Sequence, residues 1–256
     1  MISFPLLKQT FKSTWVIWGV MTVVMSLLLV QFAAMEMTQF LLFLIFYGMM
    51  IFILPAIYIL ISSNKLLAGQ VDRGSMAYVL STPKRRSTVA VTQAVYSVVT
   101  VIIMFAISTV AHIAVNAVSP LSMAEAGASM GIMGLAGDLA AGTIVKLNVC
   151  ACAACLALGG ICFMFSGIFN QSKYSSGCSG IVAGVSIIAS LMGIFGSQMQ
   201  NNLEKIKYAS VFSFCDVNGI LSGTNDWVPL LIIALAIAVV TYTVGSVWFC
   251  KKDLPL

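Results

Sequence analysis

The chain has 256 residues, of which 60% are hydrophobic and 8% charged, and its mean hydropathy is +1.04. These values exclude an ordinary water-soluble domain and define an integral membrane protein. The net charge of +5 does not point to nucleic acid, because the cations fall at the edges of apolar runs, where anionic lipid headgroups lie.

Residues 1–14, MISFPLLKQTFKST, alternate Ile2, Phe4, Leu6, Leu7 and Phe11 with Lys8 and Lys12 after Pro5. That is the pattern of an amphipathic helix lying in the membrane interface. Six apolar runs follow, at Trp15–Ala33, Phe40–Ser62, Ala90–Ala117, Leu147–Phe169, Cys178–Ser197 and Trp227–Phe249. Each is long enough for a bilayer core of roughly 30 Å, which takes about 20 helical residues. None alternates apolar and polar residues as a barrel strand does, so the expected fold class is all-α, a polytopic membrane protein with six transmembrane helices. The runs leave no room for a separate soluble block, and residues 1–256 read as a single transmembrane domain. Ala33 and Ala34 follow the first run as small residues follow a signal peptide, but the apolar region and its leader are too long, and a retained signal-anchor helix is the better reading.

Pro55, in MIFILPAIYIL, falls within the second run and predicts a kink, static or hinge-like. The connection at residues 63–89 is unusually polar. It passes Asp72, Arg73 and Gly74, then the apolar patch Met76–Leu80, and reaches Ser81, Thr82 and Pro83 before Lys84, Arg85 and Arg86. Pro83 cannot continue a helix from within, so GSMAYVL predicts one or two helical turns across the membrane surface. Glycines 127, 131, 134 and 137 in the next connection share one helical face, yet glycine disfavours helix in water, and helix and loop both remain open. NQSKYSSG joins the fourth and fifth runs; its Asn170-Gln171-Ser172 sequon falls on the cytoplasmic side and carries no glycan there. Gly180 and Gly184 in the fifth run form a G-x-x-x-G pair suited to close helix approach. In residues 198–226, Tyr208, Val211, Phe212, Phe214 and Val217 predict short helices at the outer interface.

With the N-terminus cytoplasmic, ten of the thirteen cations lie on the cytoplasmic side, and only Lys146, Lys205 and Lys207 lie outside. That positive-inside bias predicts both termini in the cytoplasm.

Chemistry-bearing constellations are few. The chain contains no G-x-x-x-x-G-K-[ST] loop and no G-x-G-x-x-G turn, so it is not expected to hydrolyse ATP or to act as an enzyme by itself. Cys150, Cys152 and Cys155 form C-x-C-x-x-C, but on one helix Cys150 points away from the other two, and packing is preferred to metal binding. The seven cysteines mostly fall inside predicted helices, where each acts as a small apolar residue, and no disulfide framework is inferred. The six runs hold no Asp, Glu, Lys or Arg, and only His112 could titrate near neutrality. That argues against an ion-coupled carrier and for transport powered from outside the membrane.

The stretch VDRGSMAYVLSTPKRRSTVAVTQAV resembles the corresponding region of type-2 ABC transporter permeases: an acidic-x-Gly stretch, an apolar helix, then Ser/Thr-x-Pro-x-x-Arg before the third span. Asp72 and Gly74, Met76 through Leu80, and Ser81, Pro83 and Arg86 occupy these places. The tail FCKKDLPL and the external SVFSFCDVNGILSG are also similar to that family, while Gln93 stands where the family often carries a basic residue. The resemblance implies the type-2 exporter fold, with a coupling helix between the second and third spans that docks into a cleft of a separate ATPase subunit. Met76, Tyr78, Val79 and Leu80 would fill that cleft, with Asp72, Arg73, Gly74, Pro83, Lys84, Arg85 and Arg86 around it. It further implies a second permease subunit, a homodimer being expected, with ATP and magnesium held by the partner ATPase and no cofactor by this chain. The cargo it implies is a hydrophobic or amphipathic substrate, peptides such as toxin or antimicrobial peptides first, moved out through the bacterial cell membrane. The alternatives are a peptide-sensing or structural membrane protein, and a sodium, drug or lipid export permease of the same family.

Overall fold

The structure, a computed structural model, describes residues 2–34, 42–76, 85–120, 122, 124, 139–198 and 202–252. Its elements are helices, with no strand element among the described residues. In chain order they are α1 (Phe4–Ala34), a π-helical stretch (Leu42–Met50) running directly into α2 (Ile51–Leu66), α3 (Ala68–Asp72), α4 (Arg86–Val118), α5 (Ala141–Ile168) and α6 (Ser172–Gln198). Two 3-10 helices (Asn202–Ala209 and Val211–Phe214), α7 (Val217–Leu221) and α8 (Trp227–Lys251) complete them. Six helices are long and apolar enough to cross a membrane: α1, Ile45–Leu66, α4, α5, Ser172–Ile194 and α8. The protein is a polytopic, all-helical membrane protein.

The 31 residues of α1 take the leader and the first apolar run into one helix. At 1.5 Å per residue it is about 46 Å long, well beyond a hydrocarbon core of roughly 30 Å, so its first turns stand outside that core. Pro5 sits in the first turn, where a missing N–H costs nothing. Leu6, Thr10, Thr14, Thr22, Met25, Leu29 and Ala33 form the buried stripe. The exposed face carries Trp15, Val16, Val20, Val23 and Leu27. Threonines inside and valines outside invert the soluble pattern, because lipid accepts the apolar face while hydroxyls need partners in the protein.

Those partners lie on α4. The Ser3 backbone N–H donates to Thr92 Oγ1 at 3.0 Å, Thr10 Oγ1 to Gln93 Oε1 at 3.2 Å, and Trp18 Nε1 to the Thr100 carbonyl at 3.0 Å; Thr14 and Tyr96 share a hydroxyl bond. Partner numbers rise together along both helices, so α1 and α4 run parallel.

The central helix is α5, buried along most of its length. Its closest neighbour is α8, and glycines permit the approach. A Cβ on Gly167 would stand 2.5 Å from the Gly245 carbonyl oxygen, and one on Gly160 would run into Thr241 Oγ1. Gly180 and Gly184 on α6, the pair expected to admit a neighbouring helix, have no atom within 4 Å of a would-be Cβ. The tight seam lies on LGGICFMFSG of α5 instead.

Contacts between helix ends fix the layout. Arg86 Nη1 donates to the Lys252 carbonyl at 3.1 Å, Lys252 Nζ to the Phe169 carbonyl at 3.1 Å, and Asn64 Nδ2 to Ser172 Oγ. Together with the Ser3–Thr92 bond, they bring residues 3, 64, 86, 169, 172 and 252 to one end of the bundle. The described cations Lys8, Lys12, Lys65, Arg73, Arg85, Arg86, Lys173, Lys251 and Lys252 belong to this end by their place in the helices.

Candidate functional site

The cation-rich end is built around the break after α2. Leu67 leaves helical geometry at φ −127° and ψ −68°, and α3 starts anew at Ala68. The Ala68 N–H freed by that break donates to Ser166 Oγ of α5 at 3.0 Å, so the interruption leaves no orphan donor there. Gly74, at φ +69°, ends α3 in the left-handed region that a side chain resists. Ser75 Oγ then donates to the Gln70 carbonyl at 3.1 Å.

Of the expected docking residues, Asp72, Arg73 and Gly74 are exposed on this turn and Met76 is buried. Arg85, with extended backbone, caps the start of α4. Arg86 turns back onto the end of α8. Tyr78, Val79, Leu80 and Pro83, with Lys84, lie outside the described residues, as do glycines 127, 131, 134 and 137.

A cavity of about 380 Å³ opens beside the turn, between the leader half of α1, the end of α2, α3 and the first residue of α6. Lys65 and Arg73 line it together with neutral polar groups. Sequence reasoning missed this cavity, because Gln9 and Ser13 are some 50 residues from Lys65 and nothing local links them. Lys252, just past α8, is partly buried; burial pushes its ammonium down to about 8, and it lies over the Phe249 ring at 5.3 Å.

Two polar networks cross the membrane interior. Near the cation-rich half, Tyr58 Oη donates to Thr100 Oγ1 at 2.8 Å, and Ser97 Oγ lies 2.9 Å from the Tyr242 hydroxyl, joining α2, α4 and α8. Toward the opposite end, the Tyr47 hydroxyl lies 2.7 Å from His112 Nδ1 and accepts from Asn148 Nδ2 at 3.0 Å. Tyr47 belongs to the π-helical stretch, a geometry that recurs at functional positions. His112 is therefore a hydrogen-bonded interior residue. Gln93, fully buried, accepts from Thr10 Oγ1.

At the far end, Phe212 stacks on Phe52 with centroids 4.7 Å apart, seating the 3-10 helices on the bundle. A smaller cavity of about 120 Å³ lies there, beside Tyr47, Cys215 and Asn218. The cysteines are all free thiols. Among the described residues no three His, Cys, Asp or Glu side chains gather to hold a metal. Neither a protein-family model nor a curated protein matches the chain.

Proposed function

We propose that the chain is the transmembrane permease subunit of an ATP-driven exporter of the type-2 ABC family. It works as a homodimer with two copies of a separate ATPase that binds ATP and magnesium. The observation that carries the reading is the exposed turn Asp72–Gly74 between the second and third spans, which leads directly into the apolar patch Met76–Leu80. It follows the break at Leu67 and closes on Gly74, and it lies at the bundle end where the cations gather. Just ahead of that turn, α3 is hydrogen-bonded to α5 through Ser166, and on this reading the bond passes the closing motion of an attached ATPase into the central helix. The leader half of α1 flanks α3 across the cavity.

The cargo on this reading is hydrophobic or amphipathic, peptides such as toxin or antimicrobial peptides first. The apolar runs offer hydroxyls, carboxamides, one histidine and many apolar side chains but no Asp, Glu, Lys or Arg, a surface suited to such a molecule and unsuited to holding a bare ion. On this reading the termini are cytoplasmic and the membrane is that of a bacterial cell, which the gathering of cations at the docking end supports through the positive-inside rule.

Co-purification of the tagged chain from native membranes tests the proposal. A stoichiometric ATP-binding partner is expected, with ATP hydrolysis that responds to amphipathic peptides. Tyr78→Ala and Leu80→Asp are expected to abolish partner binding or to uncouple hydrolysis from export. A chain that purifies alone, or variants that assemble and transport as the parent does, would overturn the docking assignment and favour a sensor.

A further inference from the structure

The cavity at the cation-rich end has the size of a small-ligand site. Lys65 and Arg73 line it, and among the described residues no carboxylate does. Asp72, the nearest acid in sequence, is exposed outside the lining. Neither cation makes an ion pair or hydrogen bond to another described residue. Two like charges on one cavity wall repel, and a bound anion relieves the repulsion.

The neutral groups complete an anion's requirements. Gln9 and Ser13 of α1 make no hydrogen bond to other described side chains. Ser172 accepts from Asn64 Nδ2, which leaves its own proton free to donate. The Gln70 side chain also lines the cavity, with its Oε1 buried and unpartnered, so that a hydroxyl of a headgroup or ester could donate to it beside the phosphate. Lysine, arginine and hydroxyl donors around a space whose described lining holds no acid are the set that holds phosphate oxygens. The cavity also lies at helix ends, with Leu6 and Leu66 in its lining, at the depth where apolar span gives way to headgroups.

We propose that this cavity binds the phosphate ester of an anionic phospholipid headgroup or of a soluble phosphate ester. The bound group bridges the leader half of α1 to α3. The inference is independent of ATPase docking, since it needs only the cavity and its cations.

The test is native mass spectrometry of the purified full-length chain in detergent, with phosphatidylglycerol and phosphatidylcholine added at equal concentration. The parent protein is expected to retain phosphatidylglycerol about 30-fold more strongly, roughly fivefold per cation. Lys65→Gln with Arg73→Gln is expected to bring that ratio close to one. Lys8→Gln with Lys12→Gln, on the same leader but outside the lining, is expected to leave it within about twofold. Thermal melts with and without phosphatidylglycerol give a second reading: the lipid raises the melting temperature of the parent and not of the Lys65/Arg73 variant. Displacement by millimolar sn-glycerol 3-phosphate assigns the site to soluble esters, and persistence of the lipid assigns it to the headgroup. Equal retention of the two lipids, together with no protection by glycerol phosphate, overturns the proposal. So does a selectivity that the Lys8/Lys12 pair removes and the Lys65/Arg73 pair does not.

Discussion

Asn148, Tyr47 and His112 form a chain whose protons can be counted. The Tyr47 hydroxyl accepts from Asn148 Nδ2 at 3.0 Å, so its own proton goes to His112 Nδ1, 2.7 Å away. His112 is then the Nε2–H tautomer. Tyr47→Phe would keep the ring packing yet strand an acceptor on His112 and a donor on Asn148 in the buried interior. Interhelical hydrogen bonds in membranes are worth about 0.6 kcal/mol on average, but two orphaned groups cost more, about 1–3 kcal/mol. Denaturation in bicelles should show that loss. Tyr208→Phe, at a side chain 75% exposed, should show none. Equal stability of the two variants would mean that the chain of bonds does not form.

Lys252 offers a titration that can be read directly. Burial lowers its ammonium to about 8, against roughly 10.4 for a free lysine. Between those values the unfolded chain binds more protons, so this residue's contribution makes stability rise with pH from about 8 to about 10.4. Partial exposure keeps that gain small. The sharper measurement is acylation of Lys252 followed by peptide mass spectrometry, whose rate should half-rise near pH 8. A half-rise near 10.4 would place the ammonium in open water.

Among the helices, the pair α5 and α8 is the least forgiving. The atoms that a Cβ on Gly167 would meet belong to the Gly245 backbone, and the nearest that a Cβ on Gly245 would meet belong to the Met164 backbone. No rotamer change can relieve either clash. Gly167→Val is therefore expected to cost about 3 kcal/mol or to stop the protein accumulating in the membrane, as overpacking does. Gly180→Val and Gly184→Val on α6 should leave the stability of one chain within about 0.5 kcal/mol. Accumulation and melting temperature of the three variants decide the matter. The six spans were legible because hydropathy belongs to each segment by itself. Which glycines meet a neighbour depends on how distant segments rotate and pair, and G-x-x-x-G spacing holds no information about the partner. For the same reason the leader read as a separate surface helix: its lysines are local, while the Ser3 and Thr10 bonds that bind it to α4 span more than 80 residues. The π-helical geometry of LFLIFYGMM was not legible either, since an apolar run satisfies either hydrogen-bond register.

For the molecule as a whole, the helix-end contacts make one end of the bundle basic. Residues 3 and 252 meet α4 at that same end through Thr92 and Arg86. At the other end only Lys146, Lys205 and Lys207 are cationic among the described residues, and Lys146 sits 5.9 Å from the Trp227 ring, the pairing expected at a membrane–water boundary. In a membrane whose cytoplasmic leaflet is anionic, about 1 kcal/mol per cation at the surface favours the basic end facing inward. Six excess cations at that end make the reverse orientation costly by several kcal/mol. Green fluorescent protein fused after Leu256 should therefore fluoresce, and alkaline phosphatase inserted at Thr224, between α7 and α8, should be active. Exchanging the two reporters should silence both. Activity in the exchanged pair alone would turn the molecule over, putting the turn at Asp72–Met76 on the side without ATP, where no ATPase could dock.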